Sequence, residues 1–101
     1  MAIIVKGTTP TIIYKFKTID VNTVTTAIYT IKKDDTIVLR KTLADATIKG
    51  NALTWTLTQQ DTLSLDGTGL TGMLNWKVGD ERGVSNQMDI VIADNHIEEV
   101  I

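Results

Sequence analysis

Hydrophobic and polar positions alternate along much of this chain. Ile12, Tyr14 and Phe16 alternate with Ile13, Lys15 and Lys17. Leu53, Trp55 and Leu57 alternate with Thr54 and Thr56. Leu70, Leu74, Trp76 and Val78 share one face with Gly72, opposite Thr71, Asn75 and Lys77. A period of two means strands with one face towards a core and one towards water. Turn residues divide the chain into about seven strands, at 2–6, 10–18, 23–33, 36–43, 51–57, 69–78 and 84–93. Asp34-Asp35 reads as a tight reversal, and Gly79 to Gly83 as a hairpin loop. Thr58-Gln59-Gln60-Asp61 breaks the pattern, because a Thr followed three residues later by an acid is close to a capping box. One helical turn is predicted there, crossing between two sheets.

Composition agrees. Thr occurs 17 times, and β-branched side chains suit a pleated surface better than a helix. The expected fold is all-β: a single domain over residues 1–101, built as an immunoglobulin-like antiparallel β-sandwich of about seven strands with one short helical turn. A small β-barrel is the alternative. With 43% apolar residues the domain can bury a core unaided, and without cysteine it has neither a disulfide nor a thiolate metal site. Trp55 and Trp76 are expected to help fill the core, each with its indole N–H near a partner or an edge.

Net charge is −2, and no Lys/Arg cluster is longer than a pair, so nothing supplies the basic surface that nucleic acid requires. Apolar runs reach only five residues (Met1 to Val5), far short of the roughly 20 that span a bilayer, and no signal-peptide pattern follows Met1. The charge is unevenly placed. Residues 1–50 hold eight Lys/Arg against four Asp (+4), and residues 51–101 hold two against eight Asp/Glu (−6). An interleaved sandwich blurs that asymmetry; a bipolar surface would suit head-to-tail association.

Catalytic chemistry is hard to find. His96 is the only histidine, set in the polar stretch Asp94-Asn95-His96, and Ser64 and Ser85 are the only serines. The acidic pairs Asp34-Asp35, Asp80-Glu81 and Glu98-Glu99 are adjacent, and consecutive strand residues face opposite ways. Asp66-Gly67-Thr68-Gly69 lacks the Lys-Ser/Thr of a phosphate loop and the spaced acids of an EF-hand, so its glycines read as turn formers. No enzyme, cofactor, metal or small-molecule substrate is expected. Two segments stand out for contacts with other proteins. Thr8-Thr9-Pro10 reads as a kink that carries the first strand from one sheet to the other, with a binding loop as the competing role. Beyond the last strand, His96, Ile97, Val100 and Ile101 form a tail too apolar for a disordered one, expected either to fold back on the domain or to dock on a neighbour.

Lys6-Gly7-Thr8-Thr9-Pro10-Thr11-Ile12, Leu57-Thr58-Gln59-Gln60-Asp61-Thr62-Leu63, Asn75-Trp76 and the Ile-rich end at Val100-Ile101 together resemble a family of small proteins from phages and prophages of Gram-positive bacteria. They are also similar to the immunoglobulin-like N-terminal module of phage upper baseplate proteins. The resemblance spans essentially the whole chain and implies a virion component of the tail or baseplate, made in the host cytoplasm. Its implied partners are other virion proteins, with a homo-oligomer as a further expectation. It transfers no catalytic or ligand residue. The chain departs from the family at Lys77 to Gly83, where an Asp-Gly hairpin is usual and a longer loop is expected. A host-surface or carbohydrate-binding module is the competing function, and it would require outward-facing aromatics.

Overall fold

Nine short strands arise where the alternation predicts seven. A computed structural model describes residues 2–101 and places them in two sheets packed face to face, 44 × 28 × 19 Å overall. The larger sheet contains β1 (Ala2–Val5), β3 (Thr26–Lys33), β4 (Thr36–Thr42), β7 (Leu70–Val78), β8 (Glu81–Val84) and β9 (Met88–Ala93), in the order β1-β9-β7-β3-β4 with β8 beside β7. The smaller contains β2 (Thr11–Lys15), β5 (Thr47–Lys49) and β6 (Ala52–Thr56), in the order β2-β6-β5. The fold is an all-β sandwich and no barrel closes. Its neighbour order matches the two sheets of immunoglobulin-like domains, except that the smaller sheet has three strands where those domains can have four. The helical turn is α1 (Gln59–Leu63), between β6 and β7.

Three expectations need correction. The sandwich is not wholly antiparallel, because β1 runs parallel to β9, pairing Ala2 with Ile90 and Val5 with Ala93. The loop after Trp76 is short: Val78 pairs with Glu81, leaving Gly79-Asp80 as a two-residue hairpin turn. Gly79 takes the positive φ (57°) that the first central position of such a turn favours. The last predicted strand is divided. Asn75 pairs with Val84 and Gly72 with Met88, so three residues, 85–87, face two, 73–74, in a β-bulge. The Ser85 N–H still donates to Leu74 O (2.8 Å), and the Ser85 hydroxyl accepts the Leu74 N–H (2.9 Å). A side chain here stands in for a backbone carbonyl.

The inward faces form the core. Ile31, Leu53, Leu57, Leu65, Leu70 and Leu74 are fully buried, and Trp55 lies between the sheets, donating its indole N–H to Thr42 O at 2.9 Å. Trp55 stacks on Tyr29 (centroids 5.9 Å, planes 24° apart) and meets Tyr14 edge-on at 6.4 Å. Trp76 is only half-buried, towards the end of the sandwich, where it packs edge-on against Phe16 at 5.3 Å. Burial pushes the Tyr29 phenol well above its ordinary value, with the neighbouring Tyr14 adding to the effect. Gly72 makes room for that phenol, since a Cβ at Gly72 would lie 2.8 Å from the Tyr29 hydroxyl.

Candidate functional site

The Gly7–Pro10 segment carries the chain from β1 in one sheet to β2 in the other. Gly7 makes the turn with φ 82°, and Thr8 closes it by directing both its N–H (3.2 Å) and its hydroxyl (2.7 Å) to Val5 O. The segment rests on α1. There Thr62, fully buried, donates its hydroxyl to Thr8 O at 2.8 Å. The predicted capping box starts this helix: Asp61 N–H donates to the Thr58 hydroxyl (3.0 Å), and Thr58 N–H donates to the Asp61 carboxylate (2.9 Å). Burial pushes the Asp61 carboxyl up. The Thr58 N–H, the Lys41 ammonium 3.0 Å away and the Thr58 hydroxyl outweigh it and hold the group below the usual carboxylate range.

The C-terminal tail folds back onto the same end of the molecule. Asn95 donates its carboxamide N–H to Lys6 O at 2.9 Å and accepts the Ile97 N–H at 3.3 Å. Lys6 reaches Glu98 at 3.4 Å and Asp66 at 3.8 Å. Gln59, at the start of α1, grips the main chain of Ile101 with both ends of its carboxamide: Nε2 donates to Ile101 O (3.1 Å) and Oε1 accepts the Ile101 N–H (2.8 Å). These bonds use backbone and polar groups and leave the apolar side chains outside. Ile97, Val100 and Ile101 remain 54%, 57% and 88% exposed. Two segments that are 85 residues or more apart in sequence, Thr8-Thr9-Pro10 and the tail, are thus gathered around α1. Thr8, Thr9 and His96 are exposed there, and Pro10 is partly covered.

Sequence reasoning did not single out the residues that hold this end together. Gln59, Asn95 and Lys6 bond to groups 42 and 89 residues away, and no local period marks such partners. The one available signal was a Gln at the first position of a helix already capped by Thr58 and Asp61, whose carboxamide the cap did not need.

Other candidates for chemistry are engaged structurally. The Ser64 hydroxyl donates to Asp61 O (2.6 Å), the Ser85 hydroxyl serves the β-bulge, and neither meets His96. Gly67 and Gly69 take positive φ (77° and 79°), the turn role expected of them. Among the described residues no group of three or more His, Asp or Glu is placed to hold a metal ion, and no helix is long and apolar enough to cross a membrane. Every ion pair among them joins a lysine of the first half to an acid of the second, so the fold partly blends the two charges. Hollows among the described residues include a shallow one of about 170 Å³ on the outer face of the larger sheet beside Asn75 and Arg82, and a groove of about 300 Å³ between β1 and β2. The groove is lined mainly by aliphatic side chains, with Tyr14 and Tyr29 among them. The fold and this pole define a β-sandwich with an apolar tail displayed at one end. Compared with known proteins, the chain matches no family model and no curated sequence.

Proposed function

We propose that this chain is a non-catalytic assembly or adaptor subunit of a phage particle, associated with the tail or baseplate and acting through protein–protein contacts. The contact role rests on one observation: around α1 the tail is fixed by its main chain while Ile97, Val100 and Ile101 face outward. Apolar side chains held in a defined arrangement lose little further entropy on docking, which favours recognition by a partner. The virion setting rests on the resemblance of the motifs alone. The competing carbohydrate-binding role asks for outward aromatics, and Tyr29 and Trp55 are buried while Tyr14, Phe16 and Trp76 pack against the core.

The test is mass in solution by light scattering over a wide concentration range, at low and moderate salt. The chain is compared with a variant in which Ile97, Val100 and Ile101 are all replaced by Ser, which leaves the Gln59 and Asn95 bonds in place. Self-association that the triple variant loses is the expected result. Identical masses for both chains under all conditions would overturn self-assembly through the tail and leave docking on a different protein.

A further inference from the structure

We propose that the free edge of β2 is a docking surface for a second copy of the chain, with the two β2 strands paired antiparallel about a two-fold axis at Ile13. Leu57 N–H donates to Pro10 O, and Phe16 N–H donates to Asn51 O, both at 2.9 Å. In the β2–β6 register, these bonds mark 10, 12, 14 and 16 as the positions whose main chain faces β6. Thr11, Ile13 and Lys15 therefore direct their N–H and C=O groups away from the sheet. In immunoglobulin-like domains with a four-stranded smaller sheet, a first strand covers this edge. Here β1 pairs with β9 instead, and the edge is left open.

The other edges are shorter or interrupted. Thr8 caps Val5 O at the end of β1, β4 is interrupted by a register shift opposite Ile31/Lys32, β5 has three residues, and β8 is four residues long and runs into the bulge. Such features are how sheets avoid unwanted pairing. Only β2 has five regular residues, no bulge, and an exposed isoleucine at its centre, Ile13, 55% exposed.

The edge is complementary to itself. Centring the axis on Ile13 places it opposite its own copy and sets Thr11 against Lys15 twice, giving about six main-chain hydrogen bonds. A parallel alignment would oppose Lys15 to Lys15 and is disfavoured by like charge. The antiparallel arrangement also carries Lys15 and Lys17, which form no ion pair among the described residues, towards the partner's opposite end. The tail folded back at that end carries the exposed Asp94, Glu98 and Glu99, of which Glu98 also lies 3.4 Å from Lys6. It further brings the two β1–β2 grooves face to face across the axis.

The full-length chain is tested by light scattering and by cross-linking. The expected species is a dimer, weakened at least tenfold by Ile13→Lys, which places two ammonium groups across the axis from an exposed position while far-UV circular dichroism stays unchanged. Because the chain lacks cysteine, Ile13→Cys gives a single reporter. Hydrogen-bonded antiparallel partners lie about 5.5 Å apart at Cα, inside the disulfide range of about 4.4–6.8 Å. Mild oxidation is expected to yield a covalent dimer, whereas Ile48→Cys on β5, comparably exposed at 47%, stays monomeric. A strictly monomeric chain, an unweakened Ile13→Lys dimer, or equal cross-linking from both cysteines would each overturn the proposal. The triple Ser tail variant separates the two surfaces: it retains the β2 dimer if this inference holds, whatever happens to tail-mediated association.

Discussion

Single residues set much of this architecture through groups that only their partners reveal. Asn51 donates its carboxamide N–H to Phe16 O (2.7 Å) and Ile19 O (2.8 Å) and accepts the Val21 N–H (2.8 Å), tying the loop after β2 to the start of β6. Gly83 matters for what it lacks. It sits opposite Trp76, and a Cβ there would lie 2.3–2.7 Å from the indole ring, so the ring lies directly over the glycine backbone. Gly83→Ala is expected to displace the indole from Phe16, cost about 1–3 kcal/mol and shift Trp fluorescence. Urea unfolding followed by fluorescence checks this, and an unchanged midpoint would show that the ring moves freely. In the sequence Asn51 and Gly83 look like ordinary turn residues. Asn51 does close the Gly50-Asn51 turn, but its side-chain partners lie 30 or more residues away, beyond the reach of a local pattern.

At the scale of elements, legibility follows the strength of the local signal. β3 and β7 alternate with one face buried, β6 alternates apolar residues with Thr while burying four of its five positions, and the sequence reading places all three within a few residues of their ends. β5 is three residues long and exposed throughout, so no period exists to detect. The break between β8 and β9 is hidden because a serine hydroxyl imitates the ladder. α1 was legible from its capping box, yet its main task was not. Through the Thr62 hydroxyl it anchors the sheet-to-sheet crossing at Thr8, and through Gln59 it anchors the tail. Thr62→Val keeps the buried shape and removes the donor, so the Thr8 carbonyl loses its partner. The expected cost is about 1–2 kcal/mol, seen as a lower urea midpoint at unchanged slope. Thr62→Ser, which restores the hydroxyl, should recover most of the bond but leave a small cavity. Equal losses in the two variants would show that packing, not the bond, fixes the crossing.

At the scale of the whole molecule, the two sheets meet through the Tyr14–Trp55–Tyr29 cluster, and this gives the fold a weak point at alkaline pH. Burial raises the Tyr29 phenol, and the half-buried Tyr14 shifts the same way, also chiefly by burial, with the Ser85 hydroxyl opposing it. In the unfolded chain both phenols ionise around the ordinary value of 10.0. Below that pH both states keep the proton and the contribution is fully present. Above it the unfolded chain releases protons that the folded chain retains, so stability falls as pH rises, until the folded groups ionise in turn. The slope is up to about 1.4 kcal/mol per pH unit for each tyrosine held neutral. The two tyrosines act in the same direction, so the decline alone does not assign it to either. Tyr29→Phe does. It keeps the ring stacked on Trp55 and removes the ionisable group, so its urea midpoint should lie near that of the parent chain at neutral pH and above it beyond pH 10. Parallel declines for the two chains would mean that the phenol titrates while folded, and that the interior between the sheets admits water and charge.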